Sequence, residues 1–197
     1  MLDPELEALP EPRRPLRRLT LATMALTAAA ALAVAMGLFP LAAYGVKSGA
    51  PDDLGALTHV QLGARLQNTW VHAVGTLAER GVEYSRPLDS DRYRLVQSAE
   101  NPAIWIELRI PKGFEPERYV APNSFVGRLV PLEAAGLRYS AVARAAETTL
   151  GHTLPRDTWL LVDGEAPATG RWAVAFVALF LAFAAFNIWG IAKLLRP

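Results

Sequence analysis

LTLATMALTAAAALAVAMGLFPLAAYGV, Leu19 to Val46, is a run of 28 residues without a charge. Arg13, Arg14, Arg17 and Arg18 precede it and Lys47 closes it. A hydrocarbon core of about 30 Å is crossed by roughly 20 apolar helical residues. The stretch therefore predicts a first transmembrane helix, with its core over 19–39 because Pro40, lacking an N–H, should end or bend the helix near Phe39. A second stretch, Trp172 to Ala192, runs 21 residues between Arg171 and Lys193 and predicts another.

Two spans at the ends of 197 residues make a hairpin carrying a globular loop. The overall composition agrees: 52% hydrophobic residues beside an ordinary 20% charged require the apolar excess to be local. Residues 1–18 combine Asp3, Glu5, Glu7 and Glu11 with four prolines and the arginine cluster, and read as a disordered cytoplasmic tail. Basic residues beside a span stay on the cytoplasmic side, and Lys193 with Arg196 in the 193–197 tail say the same of the other end. Both termini are expected inside a bacterial inner (plasma) membrane, with the 47–171 domain periplasmic or extracellular. A cleaved signal peptide, for which Ala42 and Ala43 would lie near the cut, is disfavoured because its apolar region is typically only about 7–15 residues long.

Charge and cysteine content exclude several function classes. The net charge of +1, and a loop with 14 Lys/Arg against 15 Asp/Glu, leave no basic field for nucleic acid. Absence of cysteine removes disulfides, thiolate metal sites and a thiol nucleophile. His59, His72 and His152 match no local metal motif, so neither a metal site nor a cofactor is predicted. Ser85, Ser90, Ser98, Ser124 and Ser140 lie in no G-x-S-x-G elbow or S-x-x-K motif. The pairs Asp89/Asp91, Glu115/Glu117 and Asp163/Glu165 read as solvated turns. No catalytic residue is assigned.

Inside the loop, Asp52 and Asp53 are placed to cap a short helix through about Gln67. Period-two alternation then predicts a strand over Trp70 to Leu77, a turn at Glu79–Gly81, and a return over Val82 to Pro87. Tyr93 to Gln97 alternates too. The clearest strand is Ile104 to Ile110, with Ile104, Ile106, Leu108 and Ile110 facing a core and Trp105, Glu107 and Arg109 facing water. Phe125 to Leu132 should bend at Gly127. A helix over Glu133 to Leu150, closed by Gly151, and a strand over Thr158 to Val162 complete the series. The predicted class is an α+β membrane protein: two transmembrane helices flanking a small β-rich, barrel-like domain with one or two helices and an OB-like order of elements.

Several residues are candidates for interaction. Ala25, Ala29, Ala33 and Gly37 form a small-residue stripe that admits another helix. Asn187, well inside the second span, is predicted to hydrogen-bond Thr23 at similar depth. Trp172, Trp189 and Tyr44 read as interfacial anchors. Trp105 and Trp159 stand where a large ring needs cover, which the 133–150 helix, the membrane surface or a partner protein would supply, and His72, beside Trp70, is the candidate ligand for a flat cofactor such as haem.

The expected function is a non-enzymatic accessory, scaffold or assembly factor that contacts the lipid bilayer and another membrane protein. The alternative is handling of haem or a lipid-like ligand by the domain. The layout is similar to that of assembly proteins of haem-copper oxidases, which carry an external domain between two spans. The likeness is one of layout, since no motif of that family occurs in these residues.

Overall fold

The structure, a computed structural model, describes residues 16–85, 91–113, 120–135, 146–148, 151, 154–155 and 157–196. Arg13, Arg14, Asp89, Ser90, Glu115, Glu117, Ser140 and His152 lie outside them, as do 136–145 and 149–150 of the helix expected over 133–150. Two compact units are present. One holds the described residues up to Leu38 and from Phe176 onward; the other is Phe39–Ala175.

The first unit is built from most of two long apolar helices, α1 (Arg17–Gly45) and α2 (Arg171–Leu195), whose residues 39–45 and 171–175 belong to the second unit. Both are long and apolar enough to cross a membrane, with mean hydropathy of 2.0 and 2.2. Their contact is made by small residues: Ala28, Ala31 and Ala35 on α1 and Ala184 on α2 are buried. Gly190 comes so close to α1 that a β-carbon there would stand 2.4 Å from the Met24 methyl. Asn187 is buried and meets Thr27, whose hydroxyl lies 3.3 Å from Asn187 Oδ1 and 3.1 Å from the Met24 carbonyl, one proton serving both. Thr23, the partner expected from depth, is exposed one turn away. At the same end of the pair the Arg17 guanidinium donates to the Leu194 carbonyl on α2.

The second unit is a seven-stranded mixed sheet in the order β1-β2-β6-β7-β5-β4-β3. The strands are β1 (Asp52–Ala56), β2 (Thr69–Val74), β3 (Leu77–Ser85), β4 (Arg92–Ser98), β5 (Ile104–Ile110), β6 (Ser124–Pro131) and β7 (Trp159–Asp163). β1/β2 and β5/β7 are parallel and the other pairs antiparallel. The expected barrel does not form: the sheet is open, with β1 and β3 as its two edges.

Two local expectations are also corrected. Residues 52–56 form a strand where a helix was expected. Gly55 adopts φ +63, its N–H is held by Asp53 Oδ1, and parallel pairing with β2 outweighs helical spacing. The predicted hairpin between β2 and β3 is absent as well. The chain breaks at Gly75 and Thr76, β3 runs through Gly81 with an irregular register, and it pairs with β4, leaving β2 between β1 and β6.

Each face of the sheet carries a buried core, while the second face is open at its β1–β2–β6 end. On one, Val71, Ile104, Ile106, Leu108, Phe125, Leu129 and Leu161 form a core, and the β1–β2 crossover covers it with Leu57, Val60, Leu62 and Leu66. On the other, Val82, Leu95, Trp105, Val130, Leu160 and Val162 form a second core against Leu132, Ala135 and Leu154. On the face of β5 assigned to water, Trp105 and Glu107 are therefore interior, while Arg109 is exposed as expected. Alternation along a strand tells which residues share a face, but not whether chain from elsewhere covers it.

Candidate functional site

The second face changes character along its length. Arg128 stands opposite Val162 and Glu107 opposite Val162 on the other side, so both charges share the face of Trp105 and Leu160. Both are buried. A buried guanidinium needs partners, and Arg128 has three. Its Nε donates to Asn68 Oδ1 at 2.7 Å, its Nη1 lies 3.5 Å from Glu165 Oε1, and its plane sits 5.2 Å over the Tyr44 ring.

The network then closes on the last turns of α1. The Tyr44 hydroxyl donates to the Glu165 carbonyl, and Asn68 Nδ2 donates to the Pro40 carbonyl at 2.8 Å. These contacts explain why α1 continues five residues past Pro40 to Gly45 instead of ending near Phe39. Tyr44 is consequently buried within the domain, whereas an interfacial anchor would have left it exposed. Gly45 meets Gly170 so closely that a β-carbon would lie 2.8 Å from its carbonyl.

Beside this network lies a cleft of about 250 Å³, lined by Leu41, Trp172, Glu107, Arg109, Asp163 and Glu165 among others. Arg109 is ion-paired with Asp91, whose second oxygen accepts the Lys112 N–H at 3.1 Å. Asp163 accepts the Val126 N–H at 3.0 Å, yet burial still pushes its carboxyl above the usual range. The cleft is lined by carboxylates and a guanidinium together with the apolar side chains of Leu41, Val162 and Trp172. Pockets enclosing drug-sized ligands measure roughly 300–1,000 Å³, so this one suits a head group or short polar molecule.

No protein-family model, curated protein or solved structure matches the chain. Function must be read from its own residues.

His72 does not line the cleft. It lies near the β1 edge of the same face, where Nδ1 is 3.0 Å from Asp53 Oδ1 and Nε2 is 3.0 Å from Ser124 Oγ. An axial bond to haem iron would displace one of these contacts. Trp105 and Trp159, expected to be exposed, are 2% and 8% exposed and belong to the two cores. Ala25, Ala29, Ala33 and Gly37 are all exposed in the helical unit, away from the stripe that packs on α2. Among the described residues no cluster of three metal-ligating side chains occurs.

Sequence reading did not find the Arg128–Glu165–Tyr44 network or the grouping of Asp53, His72 and Ser124. The latter are 19 and 52 residues apart and meet only through strand pairing, so no short motif marks them.

Proposed function

We propose that the chain is a two-pass membrane accessory or assembly factor. In this reading α1 and α2 span the inner membrane with both termini cytoplasmic, and the sheet domain is presented outside. The observation that carries it is the division of labour on the helical unit. The helices touch each other through alanines, while Leu26, Met36, Leu179, Phe183 and Phe186 stay exposed. Bulky apolar side chains left outside a helix pair need lipid or another helix around them. Lys193 lies 5.4 Å from the Trp189 ring, an arrangement suited to a cytoplasmic interface.

The exposed stripe Ala25, Ala29, Ala33 and Gly37 is the proposed seat for a partner helix. Purification in mild detergent followed by mass spectrometry tests this. A membrane protein should co-purify with the wild-type chain and be lost with Ala29→Leu and Ala33→Leu. Retention of the partner by both variants would exclude this face. Alkylation of single cysteines near residue 120 and residue 196 from one side only would test the topology.

A second reading, that the domain holds a lipid-like ligand, is favoured by the cleft between Leu41 and Trp172 and the charges of Glu107 and Arg109. Its size favours a head group over haem. An absorption spectrum and lipid analysis of the same purified sample separate the two: a Soret band would support haem, and a stoichiometric lipid would support the head group.

A further inference from the structure

We propose that Ser124 is an activated nucleophile that accepts the acyl group of activated esters, with His72 as its general base and Asp53 as the residue that positions the ring. Asp53 meets Nδ1 and Ser124 meets Nε2, each at 3.0 Å. An ionised carboxylate can only accept, so it fixes the proton of the neutral ring on Nδ1 and leaves the Nε2 lone pair facing the serine hydroxyl. That is the tautomer a base needs to draw a proton from an alcohol. Asp53 is kept ionised by the Gly55 N–H at 3.1 Å and by His72 itself, which together hold its carboxyl below the usual range.

Three strands build the arrangement. Asp53 and His72 are register partners across the parallel β1/β2 pair. Ser124 lies diagonal to His72 across the antiparallel β2/β6 pair, where Val74 faces Ser124 and Val126 faces His72. The β1/β2 register shifts between Asp53 and Gly55, where Gly55 adopts φ +63 and its N–H donates to Asp53 Oδ1, which ties the carboxylate to its own strand. Position on the surface matters as much. Ser124 and Asp53 are exposed, so a reagent can reach the hydroxyl, and Val74 and Val126, 39% and 37% exposed, flank it as an apolar seat for an acyl chain. A purely structural tie at so exposed a place would contribute little to stability.

The step balances without a redox partner. Ser124 Oγ bonds to the carbonyl carbon as its proton passes to His72 Nε2. The bond from that carbon to the leaving oxygen then breaks, and the leaving group departs as alcohol with the proton from His72. A serine ester remains. With a fluorophosphonate the new bond is O–P, the broken bond P–F, and fluoride leaves.

The test treats the full-length chain in detergent micelles with a fluorophosphonate probe and, separately, with p-nitrophenyl acetate, followed by intact-mass and peptide mapping. One adduct on Ser124 is expected. Ser124→Ala should abolish it, and His72→Gln should slow it by about a hundredfold or more. Asp53→Asn should slow it too, while Asp53→Glu recovers part of the rate, a rescue that a merely structural role would not produce. Thermal melts of each variant identify any that fail to fold; should His72→Gln be one, the Asp53 pair decides. An adduct elsewhere, none on wild-type protein, or an equal rate on Ser124 in His72→Gln would overturn the proposal. It stands apart from the membrane reading, and either can fail alone.

Discussion

A β-carbon on Gly127 would stand 1.9 Å from the carbonyl oxygen of Val162, so the β6 and β7 backbones meet at a separation that only glycine permits. The sequence points to a special position here, since glycine inside an otherwise regular strand marks a bend or a close approach. Gly127→Ala must move one central strand of the sheet away from its neighbour. The expected cost is about 3 kcal/mol, seen as a lower unfolding midpoint of the full chain in micelles with faster hydrogen exchange along β6 and β7. An unchanged midpoint would show that the strands tolerate the wider spacing.

Trp105 is interior to the second core, so Trp105→Ala should act on folding first, at a cost of about 3–5 kcal/mol. Trp105→Phe should cost much less. It keeps a ring and removes an indole N–H that finds no acceptor among the described residues. If Trp105→Ala melted like the wild type and lost only a co-purifying partner, the interface expected from sequence would be restored.

Within the helical unit, cysteines at 27 and 187 should crosslink on oxidation in membranes, and cysteines at 23 and 187 should not. Asn187→Leu should loosen the helix pair only slightly, since such bonds average about 0.6 kcal/mol. Crosslinking of the 23/187 pair in preference to 27/187 would show a register one turn different.

Asp163 makes a pH-dependent prediction. Burial raises its carboxyl above the ordinary value of 3.8, and the Val126 and Gly164 N–H groups only partly oppose this. A carboxyl raised in the folded state favours the protonated form there. Its contribution to stability is present in acid and is lost as pH rises through the shifted value. Asp163→Asn keeps an acceptor for Val126 and never ionises. The variant should therefore melt above wild type at neutral pH, with the difference shrinking as pH falls toward 3.8. A difference that grows on acidification would contradict the sign.

The positions of strands β4 to β7 were legible from alternation, to within a residue or two at their ends. The partners of those strands were not. Tyr93 to Gln97 reads the same whether its neighbours are β3 and β5 or any other strands, because side-chain alternation is local and ladder hydrogen bonds carry no sequence label. The candidate site shows the same limit. In sequence His72 reads as a lone histidine, Asp53 as a helix cap, and Ser124 fits no motif. Strand pairing brings all three together.

Sequence alone determined the two long apolar helices, because an uncharged run of that length is a property of consecutive residues. It also determined that the region between them is rich in strands, and that Gly127 is special. Tertiary structure alone decided that the sheet is open, that each of its faces carries a core, that Trp105 and Tyr44 are interior, and that Asn187 meets Thr27. Each of these depends on which distant segment arrives to cover or pair with a given residue. The free energy of that choice comes from burial and hydrogen bonding summed over the whole fold, and no window along the chain contains it.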